Sequence, residues 1–146
     1  MSYQIFSSRN REELAAALRS DKWIVACLCA SWCDSCRDYA VHFAAWAERH
    51  PQHHFVWIDI EDQADLVGDL DIDSFPTLLM QHGATISFFG TMEPDIRQAE
   101  RLLQTLSSRS AADLGREAHS TKEHRIWQEY DLRQRLDALP DAAGAA

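Results

Sequence analysis

Two cysteines three positions apart stand in the segment Trp32-Cys33-Asp34-Ser35-Cys36, where an apolar run over residues 23–30 gives way to a helical pattern. This spacing suits a reversible disulfide. A helix beginning here separates the two sulfurs by one turn and puts Cys33 at its N-terminus, where unpaired backbone N–H groups and the helix dipole favour an anionic thiolate. Thiolate is the species that attacks disulfides, and Cys36, one turn deeper, can reach back to close a small ring with Cys33. Asp34 places a negative charge beside Cys33 and acts against the dipole.

Forty residues further on, Phe75-Pro76-Thr77 leads into the apolar run Leu78-Leu79-Met80. A lone Cys-x-x-Cys leaves zinc binding open, but Trp-Cys-x-x-Cys at a strand-to-helix junction, with a hydrophobic-Pro-Thr at this distance, resembles the thioredoxin family over roughly residues 3–108. The resemblance implies an α/β thioredoxin-like fold and a thiol-disulfide oxidoreductase that reduces protein disulfides. Cys33 would be the nucleophile and Cys36 the resolving thiol. It implies further that Trp32 forms part of an apolar docking surface. Pro76 would be cis against the dithiol, with Phe75 and Pro76 holding the substrate backbone. Disulfide-containing proteins would be the substrates, and an external dithiol or a thioredoxin-reductase-type donor would return the electrons. No G-x-G-x-x-G fingerprint for a flavin or nicotinamide occurs, so no bound cofactor is expected.

Several positions depart from the family pattern. The buried Asp that thioredoxins carry six residues before the first active-site Cys, and the Lys on the neighbouring strand, fall here on Cys27 and Trp57. Asp59, two residues beyond Trp57 and therefore on the same strand face, is the candidate to replace them in proton transfer; the plain alternative is a carboxylate at a strand end that faces water. Cys29 replaces an aromatic that the family keeps beside its active site, and Val41 stands where the family has a helix-kinking Pro. Cys27 and Cys29 share a strand face. Buried cysteine is commonly a small hydrophobe, and the rarer role is a resting or overflow disulfide with the active-site pair.

The elements that must position these residues can be read from periodicity. Asn10 with Glu13 has the form of a capping box, opening a helix to about Ser20 with Leu14 and Leu18 on one face. Residues 23–30 read as a strand buried on both faces, and Tyr39, Phe43, Ala44 and Ala47 continue a helix to about Arg49, before Pro51. Residues 54–60 make a second buried strand, and Asp62 with Asp65 is expected to cap a short helix to about Leu70. Phe75-Pro76 leads a third strand, His82-Gly83 turns the chain, residues 85–89 return, Gly90 ends that strand, and a helix with Pro94 in its first turn runs to about Ser107. The sum is a mixed central sheet with helices on both faces.

Residues 1–109 therefore form the thioredoxin-like domain and residues 110–146 a partly helical tail. Ile126, Trp127 and Tyr130 fall on one helix face and Leu132, Leu136 and Leu139 on nearly the opposite one, which predicts one cluster against the domain and the other on a partner, including self-association. The alternative is a mobile extension touching nothing.

Composition excludes other classes. A net charge of −9 over 146 residues argues against nucleic acid and anionic membrane as partners. No apolar stretch reaches spanning length, and Met1-Ser2-Tyr3-Gln4 lacks a basic-then-apolar pattern, so the cytoplasm is the expected location, where reducing poise suits an electron donor. Asp69, Asp71 and Asp73 mimic the start of a calcium loop, but Ser74 and Met80 stand where Gly and Glu are needed. The acidic run they belong to, beginning at Asp59, is ordinarily a solvated face and otherwise a rim for basic partners. His50, His53 and His54 lack companion ligands, so no metal is expected. Two other function classes stay open: a non-catalytic binding module with a redox-switch dithiol, and a zinc or iron–sulfur site built from Cys27, Cys29, Cys33 and Cys36.

Overall fold

The computed structural model describes residues 3–68, 70, 72, 74–92 and 95–139. Asp69, Asp71, Asp73, Pro94, Pro140 and the Ala-rich end lie outside the described residues.

The centre of the molecule is β2 (Trp23–Cys29), all seven residues of which are buried. It pairs in parallel with β3 (His54–Asp59) and antiparallel with β4 (Thr77–His82), so both of its backbone edges are hydrogen-bonded inside the sheet. β1 (Gln4–Ile5) adds outside β3 and β5 (Thr85–Thr91) outside β4, giving the order β1-β3-β2-β4-β5. Side chains of β2 alternate between two cores, as the period of two requires. Ile24, Ala26 and Leu28 face one core with Leu14 and Leu18 of α1 (Arg11–Arg19) and Leu66 of α3 (Ala64–Val67). Val25, Cys27 and Cys29 face the other, with Tyr39, Phe43 and Trp46 of α2 (Asp34–Arg49) and Ala99, Leu103 and Leu106 of α4 (Ile96–Ser107). This is a thioredoxin-like fold, a mixed sheet with helices on both faces and an added set of C-terminal helices.

Local expectations are corrected in three places. Asn10 precedes α1 but does not cap it: its side-chain oxygen accepts from Ser7 N and Gln4 Nε2, and its amide nitrogen donates to Ile5 O, tying β1 to the helix start. Asp62 does not cap α3, which begins two residues later behind Gln63; Asp59 Oδ1 instead accepts from the backbone of Glu61 and Asp62 and turns the chain out of β3. Gly90 sits within β5 rather than ending it. His50 pairs with Glu100 at 2.8 Å and His54 with Gln4 at 2.7 Å, and these rings tie neighbouring elements together.

The largest difference lies in the tail. A single helix with two opposite apolar faces does not form; the chain folds into α5 (Ala111–Glu117), α6 (Lys122–Trp127), one 3₁₀ turn (Gln128–Tyr130) and α7 (Leu132–Ala138). The break falls between the two apolar clusters, where Asp131 caps α7 by accepting from Arg133 N. Reorienting the chain at that point turns most of both clusters inward, while Ile126 stays 39% exposed. Trp127 and Tyr130 pack on the core that holds Leu14 and Leu18, and Leu132 and Leu136 are buried within it. A tail that touches nothing is thereby overturned, and residues of both clusters, rather than of one, contact the domain. Specific hydrogen bonds hold the extension down. The Gln128 amide donates to Ile86 O at 2.8 Å and accepts from Ile86 N at 2.9 Å. Buried Gln81 accepts from Leu132 N at 3.0 Å and donates to Asp131 Oδ1, while Arg135 donates to Val67 O at 3.1 Å.

Leu136 is 4% exposed, so Leu136→Ala should cost about 2–5 kcal/mol, as for other buried leucines. Denaturant unfolding should show this loss with the dithiol chemistry intact. A change within experimental error would mean that the extension does not share the domain's core.

Candidate active site

Because β2 is gripped on both edges, its C-terminal end is a fixed point from which the next residues start. The chain leaves it through Ala30, turns with Cys33 N donating to Ala30 O at 3.1 Å, and enters α2 with Cys33 at the N-cap. Of the four cysteines, Cys27, Cys29 and Cys36 are buried and only Cys33 is partly exposed. Helical geometry explains the split. Cys36 lies one turn into α2 on the face that carries Tyr39 and Phe43, which is pressed onto the sheet. Asp34 is exposed and forms an ion pair with Arg37, whose guanidinium also donates to Ser31 O at 3.0 Å. The carboxylate that stands beside Cys33 in sequence is thus matched by a cation one turn away.

Trp32 is 63% exposed and meets Phe75 edge-to-face at 5.7 Å. Phe75 packs on the same core as Cys33, the Phe75–Pro76 peptide is cis, and Pro76 is buried. Trp32 and Phe75 thus form an apolar ledge beside the one accessible thiol, the kind of exposed aromatic surface that proteins use for docking.

The partner of Cys36 is the one that the rarer reading of the strand cysteines allowed, a disulfide with the active-site pair, rather than Cys33. Cys36 is joined to Cys29 by a disulfide, with Cα atoms 5.8 Å apart, and Cys33 is a free thiol. The small Cys33–Cys36 ring is therefore not the linkage present, and Cys29 is not merely a small core residue. The physical reason is positional: Cys29 is the last residue of β2 on the face that α2 covers, and Cys36 looks down from the first turn of that helix. The signal was available in the sequence as the loss of the family's aromatic at position 29, which leaves a sulfur where a ring would fill the space.

Cys27 completes the group, its sulfur 3.7 Å from that of Cys29. Burial pushes the Cys27 thiol well up, so it is held protonated. Burial, with Cys27 adding to it, also raises the Tyr39 phenol, and the Tyr39 hydroxyl is buried without a hydrogen-bond partner. Cys27 pairs laterally with Trp57 and Cys29 with Asp59. Asp59 and Cys36 line one cavity of about 270 Å³ together with Tyr3, Trp57 and Arg37. Among the described residues no group of three or more His, Cys, Asp or Glu is arranged to hold a metal ion, and no helix is long and apolar enough to cross a membrane.

In the fully reduced chain, limiting alkylating reagent at mildly acid pH should label Cys33 well ahead of the three buried thiols, read by peptide mapping. Equal labelling, or labelling of Cys36 first, would remove Cys33 from the role of accessible nucleophile.

The chain is 30% identical over 71 residues to thioredoxin-2 of Pyricularia oryzae, a match that takes in 49% of this chain and 42% of that protein, so the chain spans less than half the length of that curated relative. Among solved structures, a wild-type poplar thioredoxin h superposes with a TM-score of 0.61 at 20% identity, covering 71% of this chain and 97% of that one. A chain from a ferredoxin:thioredoxin reductase and thioredoxin f2 complex gives 0.62 at 16% identity, covering 72% and 94%. The family model described as thioredoxin matches residues 5–107, which contain β2 to β5, both cysteines of the motif and the Phe75–Pro76 loop; the chain belongs to the thioredoxin family.

Proposed function

We propose that this chain is a thiol-disulfide oxidoreductase that reduces protein disulfides in a reducing compartment, the cytoplasm. The observation that carries this reading is the placement of Cys33: the one partly exposed cysteine, at the N-terminus of α2 and beside the Trp32–Phe75 ledge. Cys33 thiolate attacks one sulfur of a substrate disulfide and the other sulfur leaves as a thiolate. Cys36 then attacks Cys33 Sγ in the mixed disulfide, releasing the reduced substrate and leaving the Cys33–Cys36 disulfide. Trp32 supplies apolar contact and Phe75 with Pro76 holds the substrate backbone. The electrons return from an external dithiol or a thioredoxin-reductase-type protein. One family member, thioredoxin f2, has been solved in complex with such a reductase. Asp59 takes and returns the proton of Cys36, a role supported by the cavity the two share.

A second reading has a specific observation behind it. With Cys36 tied to Cys29, and with Cys27 and Trp57 in place of the family's Asp and Lys, the domain could be a non-catalytic binding module whose docking changes with oxidation. Insulin-disulfide reduction by dithiothreitol separates the two. The reductase reading requires the parent to accelerate reduction and Cys33→Ser to lose that acceleration, whereas a parent with no acceleration supports the binding module. Cys36→Ser should accumulate a mixed disulfide through Cys33 and Cys33→Ser should not; symmetric trapping would reverse the two roles.

Asp59→Asn should slow turnover, by up to about 10²-fold if general acid–base catalysis is lost, and move the pH dependence of the rate. An unaltered pH–rate profile would leave Asp59 as the residue that turns the chain out of β3 and nothing more.

A further inference from the structure

Two sulfurs compete for Cys36. The reaction cycle needs Cys36 bonded to Cys33 after each turnover, yet the structure bonds Cys36 to Cys29 and leaves Cys33 as a thiol. Both linkages use the same oxidising equivalent. We propose that Cys29 is a third redox cysteine, which takes the disulfide from Cys33 by exchange at Cys36 and so stores it inside the domain. The proposal rests on the Cys33/Cys36 reading given above.

The exchange is a single displacement. Cys29 loses its proton and its thiolate attacks Cys36 Sγ in the Cys33–Cys36 disulfide. The Cys29–Cys36 bond forms, the Cys33–Cys36 bond breaks, and Cys33 leaves as a thiolate that takes up a proton. One disulfide is consumed and one made, so no outside oxidant or reductant enters. The approach is short because Cys29 and Cys36 have Cα atoms 5.8 Å apart, within the range that a disulfide spans without backbone movement.

A second observation supports the same assignment. Cys27 lies on the same strand face, its sulfur 3.7 Å from the Cys29 sulfur, and its thiol is completely buried and protonated. With Cys29 in a disulfide, Cys27 is the donor in that contact. A donor aimed at Cys29 sulfur stabilises negative charge there, both when Cys29 acts as a nucleophile and when it is expelled in the return exchange.

The two oxidised forms differ in what they show to solvent. Cys29 and Cys36 are 0% and 1% exposed, so the stored disulfide is closed to a protein-sized donor, while Cys33 remains an accessible thiol beside Trp32. The way back runs through Cys33, whose thiolate attacks Cys36 Sγ, expels Cys29 and brings the disulfide to the surface. The oxidised chain can therefore still capture a substrate through Cys33, but it holds no free Cys36 to resolve the product. Oxidation converts a turnover enzyme into one that holds its target.

Disulfide mapping of the full chain tests this. The reduced protein is treated with a limiting thiol oxidant, sampled over time, quenched and blocked with N-ethylmaleimide at mildly acid pH, and cleaved before Asp21, Asp34 and Asp38, which isolates Cys36 in residues 34–37 from Cys27, Cys29 and Cys33 in residues 21–33, where fragmentation of the linked peptide assigns the partner. The expected result is an early Cys33–Cys36 linkage giving way to Cys29–Cys36, with most of Cys33 carrying the label at the end. In Cys29→Ser the linkage should stay at Cys33–Cys36 and the Cys33 label should be lost. In Cys33→Ser two thiols should still disappear on oxidation, as Cys29–Cys36. A parent that holds only Cys33–Cys36 at all times, or a Cys33→Ser protein that keeps all its thiols, overturns the third-cysteine assignment and leaves the dithiol cycle standing. A mapped Cys29–Cys36 linkage in a parent that does not accelerate insulin reduction overturns the cycle and, with it, the exchange built on it.

Discussion

The constraint on which the functional end of this molecule depends is the confinement of β2. Seven consecutive residues, Trp23 to Cys29, are buried, and their N–H and C=O groups are spent on β3 on one side and β4 on the other. A strand held in this way cannot slip by one residue without exchanging the contents of two cores, since its side chains alternate between them. The location of Cys29, and through the short turn at Ala30 that of Cys33 and Cys36, follows from that register. The same lateral pairing puts Trp57 opposite Cys27 and Asp59 opposite Cys29, so the residues that replace the family's usual polar pair are neighbours for the same reason.

Electrostatics around the thiols divides along the line between the buried and exposed sides of α2. Outside, Asp34 and Arg37 face solvent and offset each other, a pair of small energetic weight at that exposure. Inside, charge is penalised by desolvation, which is why the Cys27 thiol and the Tyr39 phenol are both held in their neutral forms. One short stretch of helix thus presents one sulfur, that of Cys33, to water and a second, that of Cys36, to a buried, sulfur-rich compartment.

The fold was legible in the sequence because its strands carry signals that few other structures share. The unbroken apolar run at residues 23–30, the alternation of strand and helix, and the Gly83 turn with its φ of +60° each had one reasonable interpretation. Capping was less legible. Asn10 and Asp62 have the residue types that cap helices, but Asn10 is drawn away by Gln4 and Ser7, partners that no local pattern announces. The tail misled for a similar reason. Its apolar spacing suited one continuous helix, and the bend at Asp131 follows from tertiary bonds to Gln81. At the site, the motif located Cys33 and Cys36 and their surroundings, whereas the bond between Cys29 and Cys36 depends on how far a strand end lies from a helix start.

The hydrogen bonds from Gln128 to Ile86 have a consequence for the molecule's behaviour in a crowded solution. β5 is the last strand of the sheet, with one side turned away from β4. An outer strand with open amide and carbonyl groups is a template on which another chain can add a strand, the first step of aggregation. Gln128 occupies one N–H and one C=O of that outer side with its own amide, in the manner of a residue from a sixth strand, and α5 and α6 lie against the same strand. The extension is therefore a guard on the sheet's open margin, closing to strand addition an edge that lies apart from the Trp32–Phe75 ledge.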